Sequence, residues 1–295
     1  MILKIGTRGS KLAIAQSLWV KKRIEARHPD IQVELVTIKT TGGGKGLFVK
    51  EIEEALLTKR VDVAVHSIKD VPAELPEGLM LCTFPEREDP RDALISMGDR
   101  SIDTLSPRSR VGTSSLRRSA QLLYMRPDLE LVPLRGNVDT RIRKLESGEV
   151  DAIILAAAGL KRLGLADLIT QIIPWEQVLP AVGQGALGLE VRRDDEHAID
   201  LLGFLNHEPT EVAVRAERSF LKELEGGCQV PVAGFASLNA EAVYLRGMVA
   251  ELDGSRIVRD EITGKKDQAE EIGIKLAGKL LDSGARDILS RIYGR

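Results

Sequence analysis

A run at residues 61–66 that is apolar apart from Asp62 changes within three residues into a charged segment, and this change strongly constrains the fold. Such a run is typical of a strand that is buried on both faces. Ser67, Lys69 and Asp70 follow the run directly, and Pro72 is expected to stop the strand. In open α/β sheets, ligands bind beside the carboxyl ends of the strands. The same residues would suit an ordinary strand exit with solvated charges, so this stretch alone leaves both interpretations open.

The segments before this run predict alternating strands and helices. Residues 3–5 form a short strand, and a helix follows from Ser10, its N-cap, to about Arg27. A strand at 33–38 and a helix from about 47 to 58 then lead into the central run. This β-α-β-α-β order predicts an α/β fold with a parallel sheet and right-handed crossovers.

Two segments in the middle of the chain repeat the pattern of the first unit. Residues 112–121 parallel residues 6–16, and residues 150–155 parallel the run at 61–66. These echoes, in the same order, predict two domains of similar topology that enclose a cleft; chance similarity between two βα units is the alternative. A glycine-rich run at 183–191 is expected to return the chain to the first sheet, and its spacing lacks the GK[ST] part of a P-loop.

From about Pro209 the pattern changes to a helix, three alternating strands and a final helix. The first helix spans about 212–224, and Asp253-Gly254 supplies the hairpin turn between the last two strands. This order predicts a small α+β domain with a three-stranded antiparallel sheet. The strands are expected at 233–238, 242–250 and 255–263, and the final helix at 267–282. We expect domain 1 at residues 1–86 and 186–204, domain 2 at 91–180 and domain 3 at 208–295.

The composition argues against several classes of protein. A net charge of -2 is unlike that of a general nucleic-acid binder, which normally carries a basic excess. The first residues contain no apolar core of signal-peptide length, and the longest uncharged apolar run, 152–160, is too short to span a bilayer. Cys82 and Cys228 do not make a disulfide framework, so we expect a reduced, cytoplasmic setting. The histidines are scattered, and we expect no metal site.

Arginines are placed at the turns where strands lead into helices. Arg8 stands beside two glycines, and Arg117 and Arg118 follow a Gly-Thr-Ser-Ser turn. Arg135-Gly136-Asn137 repeats the pattern, with Arg141 one helical turn inside the next helix. A helix N-terminus attracts anions, and guanidinium groups make the binding of carboxylates or phosphates specific. The sequence therefore predicts a cleft that binds an oligo-anion, although any single arginine would also suit a solvated surface.

Two further side chains are candidates for chemistry. Asp70, among so many cations, is expected to be ionised and could stabilise a developing cation or transfer a proton to a leaving amine. Alternatively, Asp70 merely pairs with a nearby arginine. Cys228 lies in a Gly-Gly-Cys-Gln-Val-Pro segment, where the thiol could be a nucleophile or an attachment point. Cys82 lies in a predicted strand and is expected to be an inert core residue.

Seven segments match the motifs of one family in order along the chain. They are Gly6-Thr-Arg-Gly-Ser10, Gly44-Lys-Gly-Leu-Phe48, His66-Ser-Ile-Lys-Asp-Val-Pro72, Gly112-Thr-Ser-Ser-Leu-Arg-Arg118, Leu134-Arg-Gly-Asn137, Gly183-Gln-Gly-Ala186 and Gly226-Gly-Cys-Gln-Val-Pro231. On these matches, the chain resembles the porphobilinogen deaminase family, the hydroxymethylbilane synthases, across essentially its whole length.

The resemblance implies a three-domain fold whose first two domains are like periplasmic binding proteins with a cleft between them. It implies a transferase of tetrapyrrole (haem-type) biosynthesis that works on a dipyrromethane cofactor. The enzyme would add four porphobilinogens in sequence, lose ammonia each time, and release linear hydroxymethylbilane by hydrolysis. By motif match, Cys228 would hold the cofactor through a thioether, and the resemblance also suggests a monomer without nucleic-acid or membrane partners.

The same resemblance assigns roles to individual residues. Asp70 matches the catalytic carboxylate, which would help to protonate the departing ammonia and to stabilise cationic intermediates. The residues that match the cofactor-binding positions, besides the cysteine, are Lys69, Thr113, Ser115, Arg117 and Arg118. The residues that match the substrate-binding positions are Arg8, Ser10, Arg135, Arg141, Arg162 and Gln184.

The segment around Gly42-Gly43-Gly44 departs from the family pattern. The family has a longer segment here that begins with an acidic residue. Either the loop is shorter in this protein, or the sequence omits residues of a loop; we favour omission, because a glycine-flanked cleft loop is expected to be mobile. A true deletion would remove active-site cover and the help of a second carboxylate.

Two other functions explain part of the pattern. A binding protein of two similar domains would explain the echoes and the arginines, but not Cys228 or the third domain. A cysteine-dependent hydrolase would explain Cys228, but it would leave the arginines without a role.

Overall fold

The structure is a computed structural model that describes residues 2–39, 47–224 and 230–294. The chain forms two compact units: Met1–Glu88 with Ala186–Glu211, and Asp89–Gly185 with Val212–Arg295. The three domain ranges expected from the sequence stay predictions. No helix within the described residues is both long enough and apolar enough to cross a membrane.

Strands and helices alternate through most of the chain. The strands are β1 (Ile2–Arg8), β2 (Gln32–Ile38), β3 (Val63–Ser67), β4 (Leu79–Thr83), β5 (Asp92–Ser96), β6 (Arg110–Gly112), β7 (Glu130–Val132), β8 (Ala152–Ala156), β9 (Gln171–Ile172), β10 (Leu187–Arg192), β11 (Val232–Asn239), β12 (Ala242–Ala250) and β13 (Ile257–Lys265). The α-helices are α1 (Lys11–Arg27), α2 (Leu47–Leu57), α3 (Leu116–Met125), α4 (Val138–Glu146), α5 (Ala157–Arg162), α6 (Glu196–Leu202), α7 (Glu208–Glu223), α8 (Ala269–Leu280) and α9 (Arg286–Tyr293).

The sheet of the first unit has the strand order β2-β1-β3-β10-β4. Strand β1 is parallel to β2 and β3, whereas β10 is antiparallel to both of its neighbours, β3 and β4. The predicted return of the glycine-rich run to the first sheet is therefore confirmed. The parallel pairing predicted for the β-α-β-α-β order is also confirmed, because β1 is parallel to both β2 and β3. The returning strand, for which the sequence indicated no direction, is not joined to its neighbours by a βαβ crossover and can pair in the opposite direction.

The second unit contains a sheet with the order β7-β6-β8-β5-β9. Strand β6 is parallel to β7 and β8, and β5 is antiparallel to β8 and β9. Position by position, this repeats the arrangement of the first sheet, including one antiparallel strand next to the edge. The echo in the sequence therefore reflects a repeat of topology, and the predicted α/β class is confirmed.

The second unit also contains the antiparallel sheet β11-β12-β13. Phe220 of α7 is fully buried against this sheet. It packs directly over Gly247 of β12, because a Cβ added at Gly247 would lie only 2.5 Å from the Phe220 ring. The predicted hairpin turn is confirmed: Gly254 has φ +73°, and the Asp253 carboxylate accepts hydrogen bonds from the N–H and hydroxyl of Ser255. The final helix was expected to end near residue 282, but a kink at Gly284, whose φ is +105°, leads into a further helix, α9.

Candidate active site

The charged exit of strand β3 is a short 3-10 helix. Strand β3 ends at Ser67, and Ile68–Asp70 form a single turn that presents Lys69 and Asp70. The N–H of Val71 closes the turn by donating to the Ile68 carbonyl at 3.0 Å. Pro72 was the expected terminator, but the strand already ends at Ser67, because the backbone turns at Ile68.

The core of the first unit fixes the position of this turn. The side chain of Ile68 is buried, and its N–H donates to the Ala186 carbonyl at 3.1 Å, just before β10. A Cβ added at Gly188 of β10 would collide with the end of the Ile68 side chain. From the other side, Gln16 Nε2 of α1 donates to Ser67 Oγ at 3.0 Å. Glycine at position 188 therefore provides the space in which the turn packs.

The Asp70 carboxylate is partly buried and unpaired within the described ranges. It makes neither a hydrogen bond nor an ion pair with residues 2–39, 47–224 or 230–294. The alternative that Asp70 merely pairs with an arginine does not hold for that part of the chain. A carboxylate that is not neutralised by the protein can interact with a cationic group of a ligand.

A buried group of titratable side chains on and beside β3 was not among the predicted site residues. His66 Nε2 lies 2.8 Å from Glu190 Oε2 of β10, and both side chains are buried. Burial, and then the charge of Glu190, raise the pKa of Glu53 in α2. The available signal was a glutamate between the apolar residues Leu189 and Val191 of β10.

The first strand-to-helix turn carries Arg8 and Ser10. Arg8 is the last residue of β1, and Ser10 is the N-cap of α1, as predicted. The Ser10 hydroxyl accepts a hydrogen bond from the N–H of Ala13 at 3.3 Å. Both side chains are half-buried. The turn therefore combines a guanidinium with the free N–H groups of a helix start.

In the second unit, three of the predicted site residues converge on one buried carboxylate. Arg118 donates from Nε and Nη2 to Asp92 Oδ1 at 3.0 and 2.7 Å. Arg117 Nη1 lies 2.8 Å from Asp92 Oδ2, and Gln184 Nε2 donates to Asp92 Oδ1 at 2.9 Å. All four residues are at most 6% exposed. Asp92 was not among the predicted site residues; its signal was an acidic residue that opens the largely apolar strand β5.

This cluster has more positive than negative charge. Burial alone would raise the pKa of Asp92, but the charges of Arg117 and Arg118 outweigh it and hold that pKa well below its usual range. Burial lowers the pKa of Arg117, and burial with the nearby charge of Arg118 lowers the pKa of Arg141. Within the described chain, Asp92 is the carboxylate that pairs with Arg117 and Arg118, and Arg141 makes no ion pair. Such a surplus favours an anionic ligand.

The remaining predicted arginines of this unit lie in and around the helices α4 and α5. Arg141 Nε donates to the Gly136 carbonyl at 2.9 Å, across a turn that needs glycine because its φ is +118°. Arg135 is exposed before this turn. Arg162 Nη2 at the end of α5 donates to the Gly185 carbonyl at 2.7 Å.

Thr113 and Ser115 shape the turn before α3. The Thr113 hydroxyl is buried and accepts a hydrogen bond from the Ser115 N–H at 3.2 Å. Ser115 occupies the N-cap position of α3, but its side chain makes no capping hydrogen bond. Its hydroxyl therefore lies beside the N–H groups of a helix start, where an anion binds favourably.

The structure brings some predicted residues together and does not test others. Arg117, Arg118 and Gln184 share Asp92, and Lys69 and Asp70 share one turn. Cys228 lies outside the described residues, as does the glycine loop from residue 40 to 46. In the described part of the chain, no group of three or more acidic, histidine or cysteine side chains could hold a metal ion.

Comparisons with known proteins agree over almost the whole chain. The family model "Porphobilinogen deaminase, dipyromethane cofactor binding domain" matches residues 3–200, and "Porphobilinogen deaminase, C-terminal domain" matches residues 212–282. The porphobilinogen deaminase of Geobacter metallireducens is 54% identical, covering 99% of this chain and 95% of the relative. That of Trichlorobacter lovleyi is 53% identical, covering 99% of this chain and 97% of the relative.

Two further observations come from these comparisons. The solved methionine-binding protein MetQ has a TM-score of 0.47 at 17% identity, covering 68% of this chain and 88% of that protein. The match to the Geobacter metallireducens protein runs over 304 positions, whereas this chain has 295 residues. The relative therefore has at least nine residues without a counterpart here.

Proposed function

The chain belongs to the porphobilinogen deaminase family, and we propose that Asp70 and the arginine clusters carry out the family's reaction. It is a transferase of tetrapyrrole biosynthesis that condenses porphobilinogen stepwise. Its cofactor is a dipyrromethane, which supplies the pyrrole to which new units are joined. Four condensations with loss of ammonia, followed by hydrolysis, give linear hydroxymethylbilane.

The chain's cationic residues suit a cofactor that bears several carboxylates. In this proposal, Arg117 and Arg118 bind those carboxylates together with Lys69, and Thr113 and Ser115 complete the turn at α3. The support is the charge balance: the two buried guanidinium groups share a single carboxylate, that of Asp92. Cys228, in the matching segment, is the proposed point of thioether attachment.

The remaining arginines are proposed to bind the substrate, which also bears carboxylates. Arg141 supports this assignment, because burial and the nearby charge of Arg118 make its charged form costly without an anion. Arg8 and Ser10 would contribute from the turn before α1. The proposed substrate-binding set is Arg8, Ser10, Arg135, Arg141, Arg162 and Gln184.

The unpaired carboxylate of Asp70 is the single observation that carries the catalytic assignment. Because the described residues do not neutralise it, it can face positive charge that develops on the substrate and hold a proton for the departing amine. Lys69, the preceding residue on the same turn, has a different proposed role in binding carboxylates. The turn would thus present one group for anions and one for cations.

The test compares Asp70→Asn with Asp62→Asn as a matched control. Asp62 is also a partly buried carboxylate, but it lies before β3 and accepts from the Lys4 N–H. Intact mass should show both variants carrying a dipyrromethane. We expect Asp70→Asn to lose roughly 10²- to 10⁴-fold in turnover, the range that general acid–base groups contribute. Near-normal turnover in Asp70→Asn would contradict the assignment of Asp70.

We also propose that the protein acts as a monomer in the cytoplasm, with the three domains at the ranges expected from the sequence. Burial raises the pKa of the Cys82 thiol, which suits an inert cysteine in a reducing compartment. Light scattering coupled to size-exclusion chromatography gives the oligomeric state. A mass of twice 32.3 kDa would contradict the monomer.

A further inference from the structure

Asp92 is a fully buried carboxylate that no sequence motif identified. It opens strand β5 and accepts hydrogen bonds or ion pairs from Arg117, Arg118 and Gln184, with contacts between 2.7 and 3.0 Å. Gln184 Nε2 also donates to the Pro90 carbonyl at 2.7 Å. A single carboxylate therefore links the start of α3 to the segment that leads into β10.

The contacts of Arg118 fix the plane of its guanidinium group. Nε and Nη2 donate to Asp92 Oδ1, which holds one edge, and Nη1 donates to the Ile154 carbonyl at 3.0 Å. Arg118 has five N–H donors, and these contacts use three of them. The two others, one on Nη1 and one on Nη2, make no hydrogen bond with the residues that the structure describes, and the three contacts fix their direction.

Arg117 is held through one nitrogen. Its Nη1 contacts Asp92 Oδ2 at 2.8 Å and donates to the Leu179 carbonyl at 2.7 Å. Gln121 also binds the backbone of Leu179: its Oε1 accepts a hydrogen bond from the Leu179 N–H, and its Nε2 donates one to the Leu179 carbonyl. Within the described residues, Nε and Nη2 of Arg117 make no hydrogen bond. Those donors suit a carboxylate of a ligand.

We propose that Asp92 is a positioning residue that orients Arg117 and Arg118 so that their remaining donors meet the carboxylates of the cofactor. This inference rests on the proposed function of the two arginines. A guanidinium binds a carboxylate best through two parallel hydrogen bonds, so its orientation contributes as much as its charge. Asp92 neutralises one of the two charges and leaves one in excess, so the cluster remains attractive to an anion.

A carboxylate that acts only in folding would behave differently. A purely structural Asp92 would stabilise the protein equally with and without the cofactor. A positioning Asp92 contributes more when the cofactor is present, because the bonds from the arginines to the cofactor depend on it. The difference in Tm between the two forms therefore separates these roles.

The experiment uses Asp92→Asn, a nearly isosteric change that removes the charge. Protein is produced in cells that make no porphobilinogen, and half of each sample is loaded by adding porphobilinogen. Intact mass gives the loaded fraction, and thermal unfolding gives Tm of both forms. Asp89→Asn is the matched control, because Asp89 also pairs with two cations, Arg91 and Lys161.

We expect loading to raise Tm of the wild type and of Asp89→Asn by similar amounts. In Asp92→Asn, the rise should be at most half as large, and KM for porphobilinogen should increase on the order of tenfold or more, as for a misplaced binding group. An undiminished rise in Tm would overturn the proposal. A larger rise would also overturn it, because Asp92 would then compete with the cofactor for the arginines.

A second variant covers the case in which Asp92→Asn does not fold. Asp92→Glu keeps the charge but displaces the carboxylate by one methylene group, and it should also reduce the rise in Tm. A normal rise in Asp92→Glu would show that charge alone suffices, which would overturn the positioning role. If the wild type itself gains neither mass nor stability from porphobilinogen, the proposed function has failed rather than this inference.

Discussion

A methyl group added at Gly188 should displace the turn that carries Asp70. The Cβ of Gly188→Ala would collide with the Ile68 side chain and lie 3.0 Å from Leu81 Cδ2, inside the core of the first unit. Over-packing of this kind costs about 1–3 kcal/mol in the free energy of unfolding. Ile68 is buried and begins the 3-10 turn, so we expect the displacement of its side chain to shift the turn. A shift of about 1 Å in a catalytic group can reduce turnover about 100-fold.

The design includes a compensating change and a control. Ile68→Val removes the Cδ1 atom that collides, and alone it should cost about 0.5–1.5 kcal/mol. The double variant should therefore be less destabilised than the two single changes added together, and it should regain turnover. Gly203→Ala is the control, because a Cβ there meets nothing within 4 Å and the backbone φ is -54°.

Urea unfolding and steady-state turnover measure the two effects separately. The midpoint of unfolding reports the packing cost, and kcat reports the position of the turn. Additive losses in the double variant would refute the reasoning, because they would mean that Ile68 and the new methyl group do not meet. Full stability and activity in Gly188→Ala would refute it as well.

Two further predictions concern buried acids. Glu53 has a raised pKa, so the folded chain holds this proton more tightly than the unfolded chain, and stability should fall as pH rises from about 4.5 through the raised pKa. In a plot of Tm against pH, Glu53→Gln should reduce the fall in Tm over this pH range. If the plots of the variant and the wild type were parallel, the prediction would be wrong. Glu217 accepts from the Gly183 N–H at 2.6 Å and the Ala236 N–H at 2.7 Å. Glu217→Gln should cost about 1–3 kcal/mol by urea unfolding, because one buried N–H loses its acceptor; a change below about 0.5 kcal/mol would contradict it.

Local patterns in the sequence predicted most of the elements. Examples are the cap at Ser10, the hairpin at Asp253-Gly254 and the helix α2. Each is formed by residues that are close together in the sequence, so a short stretch is enough to predict it. The repeat of βα units was also visible, because equivalent turns need similar residues. The matched motifs then identified the arginines and the charged exit of β3 as candidates.

Contacts between distant segments were not predictable in this way. Asp92 meets Arg118 and Gln184 across 26 and 92 residues, and His66 meets Glu190 across 124. No helical or strand periodicity relates residues so far apart in the sequence. A single acidic residue in an apolar strand does not indicate which residue it will pair with. The direction of β10 was missed for the same reason, since strand direction depends on where the chain returns.

The placement of β10 has a consequence for the order in which the protein is made. Strand β4 joins the first sheet through β10, which a ribosome adds about a hundred residues after β4. The second sheet is encoded without interruption, from β5 to β9. A nascent chain can thus complete its second sheet while the first still lacks an inner strand. Domains usually fold from the N-terminus onward during synthesis, and here the sheet that begins first is finished second.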